Sequence, residues 1–109
     1  MRVIVEVCLE GNSRPEPGSL VHVQVRDTAI QDAPAIILGA EDAEVGATPG
    51  PQLALVAVTI PLRGTYPTVW AHVDTNGDGR VSRGDFLTVQ SFPVPPGREP
   101  RVRVSVKPV

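Results

Sequence analysis

The chain has 109 residues, of which 41% are hydrophobic and 20% charged, and its net charge is −2. This composition fits one globular domain spanning residues 1–109, able to bury roughly 60–70% of its unfolded surface around a single core. The mildly acidic balance lacks the basic field of a nucleic-acid binder, and no apolar run approaches the ~20 residues that a membrane span needs.

A single cysteine, Cys8, excludes an internal disulfide. Met1 leads directly into a strand pattern with no signal peptide before it, an expectation that fits a cytoplasmic chain or a mature fragment whose leader has been removed.

In chain order, Met1, Val3, Val5, Val7 and Leu9 alternate with Arg2, Ile4, Glu6, Cys8 and Glu10, the period of a half-buried strand. Cys8 reads as a small packed strand residue, because free cysteines mostly behave as hydrophobes. A turn-rich segment, 11–18, leads to a second strand carrying Val21, Val23 and Val25 on one face. His22, Gln24 and Arg26 alternate with them. With no sequence neighbour to act on, His22 reads as solvent-facing.

Residues 27–35 break the alternation, and Pro34 with its two aspartates suggests a turn or a single helical turn. A third strand begins near Ala35 and could extend to Val45, with Glu41, Asp42 and Glu44 as a solvated acidic patch. Leu53 to Ile60 is the most apolar run and predicts a strand buried on both faces. Two strand-like runs then flank a polar loop, Thr68–Val73 before it and Phe86–Phe92 after it.

The final strand alternates Val102, Val104 and Val106 with basic and polar residues, which read as protection for an exposed edge. Seven short strands separated by turns predict an all-β, roughly antiparallel β-sandwich, immunoglobulin-like or transthyretin-like in outline.

The loop, residues 74–85, is the stretch that spells out chemistry. Asp74, Asn76 and Asp78 occupy positions one, three and five, Gly79 position six, Arg80 position seven and Asp85 position twelve. This is the spacing of a calcium loop. Alternate oxygens converge, Gly79 permits the sharp turn, Arg80 offers its carbonyl, and Ser82 can hold a water.

Asp85 is a methylene shorter than the usual glutamate. Three carboxylates against two arginines leave a formal charge of about −1, so calcium affinity is expected at the weak end, roughly 10⁻⁴–10⁻³ M. The strand-like flanks exclude an EF-hand, which needs helices. The competing reading is a polar hairpin loop built from Asx-turns. His72 shares a strand face with Asp74, which would let it approach the loop, but strand packing is the simpler reading.

Three stretches together carry a family resemblance: His22-Val23-Gln24-Val25-Arg26-Asp27-Thr28 running into Asp32-Ala33-Pro34-Ala35, His72-Val73-Asp74 through to Asp85-Phe86, and Gln90-Ser91-Phe92-Pro93-Val94. Over roughly residues 18–109 the chain resembles the YbaY/YscW family of small β-sandwich lipoproteins. The resemblance implies a sandwich fold and a cell-envelope or periplasmic setting. Its YscW-type members are pilotin chaperones that guide an outer-membrane secretin ring of type III secretion. Read from Met1, the chain is expected to depart from that pattern, with no leader and no lipid-accepting cysteine. No catalytic residue is implied.

Cys8, His22, His72 and the scattered serines stand in no nucleophile motif, and no glycine-rich phosphate loop follows a strand. The expected function is therefore a non-enzymatic binding or chaperone-like module, meeting a protein partner through an exposed sheet edge. The alternative is a structural domain whose calcium-like loop serves stability alone. Carbohydrate binding would need surface aromatics, and Tyr66, Trp70, Phe86 and Phe92 are expected mostly in the core.

Overall fold

A computed structural model describes residues 1–27, 36–61 and 67–109. The Asp32-Ala33-Pro34-Ala35 turn and Tyr66 lie outside the described residues. The described residues form eight strands: β1 (Arg2–Leu9), β2 (Leu20–Asp27), β3 (Ile36–Glu44), β4 (Gln52–Thr59), β5 (Pro67–Asp74), β6 (Phe86–Leu87), β7 (Phe92–Pro93) and β8 (Arg101–Pro108). No helix occurs among the described residues.

The all-β class expected from the sequence is the class observed. Hydrogen bonding joins the strands in the order β3-β2-β5-β6-β8-β1-β4, with β7 also paired to β5, in one continuous sheet. That sheet curls until its two ends almost meet. Gly46 N donates to Leu53 O at 3.0 Å, and a Cβ placed on Gly39 would overlap the Thr59 carbonyl oxygen. The fold is thus a nearly closed, barrel-like sheet, and the finer immunoglobulin or transthyretin outline does not follow from this connectivity.

Strand alternation builds the core. Val3, Val5 and Val7 of β1, Val21, Val23 and Val25 of β2, Val69, Ala71 and Val73 of β5, and Val102, Val104 and Val106 of β8 all point inward and are buried. These residues are mostly β-branched, and their stiff side chains suit a pleated, half-buried surface.

Several expectations are corrected. The stretch after the loop is two separate two-residue strands, β6 and β7, which raises the count from seven to eight. Most pairs are antiparallel, but β1 and β8 run parallel, aligning Val5 with Val102 and Val7 with Val104.

β4 is not buried on both faces. Among the described residues it pairs only with β1, and Leu55, Ala57 and Thr59 face solvent. Its apolar run misleads because alanine and leucine also occupy exposed strand faces.

β8 is not an edge, since it lies between β6 and β1. Its basic residues instead meet acidic residues on and just after β1, Arg103 to Glu6 at 3.4 Å and Lys107 to Glu10 at 3.5 Å. Cys8 is buried, and burial followed by the Glu6 charge pushes its thiol pKa up, as expected of a packed and unreactive thiol.

Candidate functional site

β5 carries the site. Its inward residues are Val69, Ala71 and Val73, which leaves Trp70, His72 and Asp74 on the opposite face. His72 and Asp74 are nevertheless buried, at 3% and 1% exposure, and Asp85 at 0%. Loop 75–85 joins β5 to β6, and its hydrogen bonds to these side chains shield the end of that face from water.

Each carboxylate of the pair organises part of the loop. Asp74 Oδ1 accepts from Gly77 N at 3.0 Å and Oδ2 from Gly79 N at 2.8 Å. Both glycines adopt left-handed φ, 72° and 75°, a backbone shape that costs a residue with a Cβ. Farther out, Asn76 Oδ1 accepts from Asp78 N at 3.3 Å and Asp78 Oδ1 from Arg80 N at 2.9 Å. These are successive Asx-turns.

Asp85 is held more completely. Its Oδ1 accepts from Thr75 N at 3.0 Å and Thr75 Oγ1 at 2.9 Å. Its Oδ2 accepts from His72 Nε2 at 2.8 Å and Ser82 N at 3.2 Å. A carboxylate only accepts, so His72 Nε2 is the donor. Burial alone would raise the Asp85 pKa, but hydrogen bonds from His72, Thr75 and Ser82 outweigh it and hold the pKa at about 2.

His22 completes the cluster from the neighbouring strand. The β2–β5 register sets it directly opposite His72, with ring centroids 5.7 Å apart. Its Nδ1 donates to Asp42 Oδ1 at 2.8 Å, and its Nε2 lies 3.8 Å from Asp74 Oδ2. His22 is therefore not a simple solvent-facing residue, and Asp42 is more than solvated surface.

Trp70 lies beside His72, with ring centroids 5.9 Å apart, and the Arg26 guanidinium stacks 4.4 Å above the indole. A cleft of about 260 Å³ opens here, lined by His22, Gln24, Asp42, Trp70, His72 and Gly79.

The structure thus brings Asp74 and Asp85 together at the buried base of the loop, and Asn76, Asp78 and Arg80 at its exposed tip. Asp85 is turned toward His72. The strand–loop–strand setting is as read from sequence. His22 and Asp42 were missed, because the cross-strand register that pairs them with the loop has no local signature. Their only signal was their alternation onto outward faces.

No family model matches the chain, and no curated protein matches it. Among solved structures it is similar to an alternative pilotin from the type II secretion system of Vibrio cholerae. That likeness covers 100% of this chain and 96% of the other at a TM-score of 0.72 and 19% identity. The likeness establishes a shared fold.

Proposed function

We propose that this domain is a non-enzymatic, chaperone-like binding module that holds an extended segment of a protein partner in a cell-envelope secretion system. The whole-chain likeness to a pilotin carries this reading, and the resemblance to YbaY/YscW-type lipoproteins agrees with it. A secretin subunit is the kind of partner that resemblance implies.

The binding element on this reading is the seam between β3 and β4, the two ends of the sheet order. Strand ends of this kind offer backbone donors and acceptors to an added strand. Ile36, Ile37 and Leu55 are more than half exposed there and would supply apolar contacts.

The test is NMR titration of the labelled domain with peptides tiling the host's secretin. One peptide should shift the amides of β3 and β4 selectively. If every peptide leaves those amides unmoved at millimolar concentration, the reading fails.

A second reading concerns the loop. The Asx-turn series from Asp74 to Arg80 favours a structural calcium loop with Asp74, Asn76, Asp78, Arg80 through its carbonyl, and Asp85 as ligands. Asp85 would have to leave His72 to join them. Calcium at about 100 times its Kd should then raise stability by roughly 2.7 kcal/mol, on the order of ten degrees in Tm. Magnesium and Asp78→Ala serve as controls, and an unchanged melt in calcium rejects the loop as an ion site.

A further inference from the structure

We propose that His22, His72, Asp74 and Asp85 form a site for a transition-metal ion of the zinc type, a function separate from partner binding. The starting observation is a charge problem. Asp74 and Asp85 are almost fully buried, and among the described residues neither forms an ion pair with a lysine or arginine. One ligand atom from each of His72, Asp74 and Asp85 falls within 4.8 Å of the others. Backbone N–H groups and His72 hydrogen-bond to both carboxylates, but at that range their like charges still repel, and a bound cation would relieve that repulsion.

His22 supplies the second observation. Its Nδ1 faces the Asp42 carboxylate and must donate to it, so in the neutral ring Nε2 carries a lone pair. That lone pair stands 3.8 Å from a carboxylate oxygen, so both atoms offer electron density to the same space. A carboxylate on one imidazole nitrogen, with the other nitrogen free, is the arrangement that orients histidines toward metals.

Two of the ligand pairs lie near the spacing of a closed shell. Metal–ligand distances of about 2.0–2.2 Å place tetrahedral ligand atoms roughly 3.3 Å apart. The His72–Asp85 pair, now at 2.8 Å, would open by about half an ångström, and the His22–Asp74 pair, at 3.8 Å, would close by as much. The metal would take the place of the Nε2 proton that His72 gives to Asp85, and the neutral ring would carry its one proton on Nδ1 instead.

Each Oδ2 then holds one backbone N–H and the metal, and Asp85 Oδ2 keeps a longer contact from Ser82 Oγ at 3.4 Å. Gly79 N remains on Asp74, and Ser82 N remains on Asp85. Both oxygens keep at least two partners, and two carboxylates neutralise a divalent ion. Imidazole donors select zinc-like ions over calcium or magnesium, which take oxygen ligands. The cleft beside His22 and His72 gives the ion a way in.

The test uses the whole chain stripped with EDTA and titrated with zinc by calorimetry. Cobalt serves as a spectroscopic substitute, and calcium and magnesium as competitors. One zinc per chain should bind and raise Tm, cobalt should show tetrahedral visible absorption, and calcium should displace neither. Asp42→Asn should weaken zinc affinity roughly 10–100-fold while leaving the metal-free melt unchanged, and His22→Ala should weaken it at least as much.

Both substituted side chains are at least partly exposed, so both variants should fold. Absence of saturable zinc binding at millimolar concentration overturns the proposal. So does zinc binding that both variants retain in full, since the ion would then be held elsewhere. A rise in Tm with calcium alone would favour the loop reading instead.

Discussion

His72 Nε2 donates to Asp85 Oδ2 at 2.8 Å across thirteen residues of chain, and the two side chains are 3% and 0% exposed. The contact ties the end of β5 to the residue before β6. Everything between them is loop, and its backbone turns around the same carboxylate. Asp85→Asn would present an amide where Thr75 N, Ser82 N and His72 all need an acceptor. Breaking a buried pair from one side costs roughly 3–5 kcal/mol, a large share of the about 5–15 kcal/mol that holds a domain together. Urea unfolding should show that loss, with His72→Gln losing less than His72→Ala because the amide can still donate to Asp85.

The same carboxylate sets an acid limit. The folded pKa of Asp85 is about 2, below its ordinary value of 3.8. A depressed carboxylate pKa contributes stability above the unfolded value, and that contribution disappears as pH falls through the folded one. Between about pH 4 and pH 2 the domain should lose about 2 kcal/mol from this group alone. The measurement is stability against pH for the wild type and Asp85→Asn. The difference between the two curves should shrink across that window, and a constant difference would mean that Asp85 does not titrate there.

The strands were legible because valine alternation at period two survives in β1, β2, β5 and β8, and the loop was legible because Asp, Asn and Gly recur at ligand spacing. What could not be read was register. His22 meets His72 only because β2 and β5 align at that pair. Arg103 meets Glu6 only because β8 runs parallel to β1. Neither alignment leaves a trace within either strand. The apolar run of β4 misled for a related reason: Leu55 is 52% exposed at the end of the sheet order, and composition does not mark a strand as terminal.

Arg103 and Glu6 offer a contrast to the buried pair. Their closest approach is 3.4 Å, and the Arg103 side chain is 72% exposed. Exposed pairs lose most of their Coulomb energy to solvent and pay side-chain entropy to stay together. Arg103→Ala should change stability by no more than about 0.5 kcal/mol, and that small change should vanish in high salt. Paired urea titrations at low and high salt measure it. A loss comparable to that of Asp85→Asn would mean that the β1–β8 outer face matters far more than its exposure implies.

Gly39 tests whether the two ends of the sheet are truly in contact. A Cβ there would overlap the Thr59 carbonyl oxygen and crowd Val58 Cγ1 and Ile60 Cγ2 at 3.0 and 3.1 Å. The first obstacle is backbone, which cannot rotate away as a side-chain tip could. Val58 and Ile60 belong to the packed core. Gly39→Ala must therefore push β3 from β4, and overpacking of this kind costs roughly 1–3 kcal/mol. Thermal or urea unfolding gives the cost, and hydrogen exchange locates it. Amides of β3 should lose protection while those of β1 and β8 keep theirs. If Gly39→Ala proves neutral, β3 and β4 stand farther apart than their geometry indicates, and the seam is already open to an added strand.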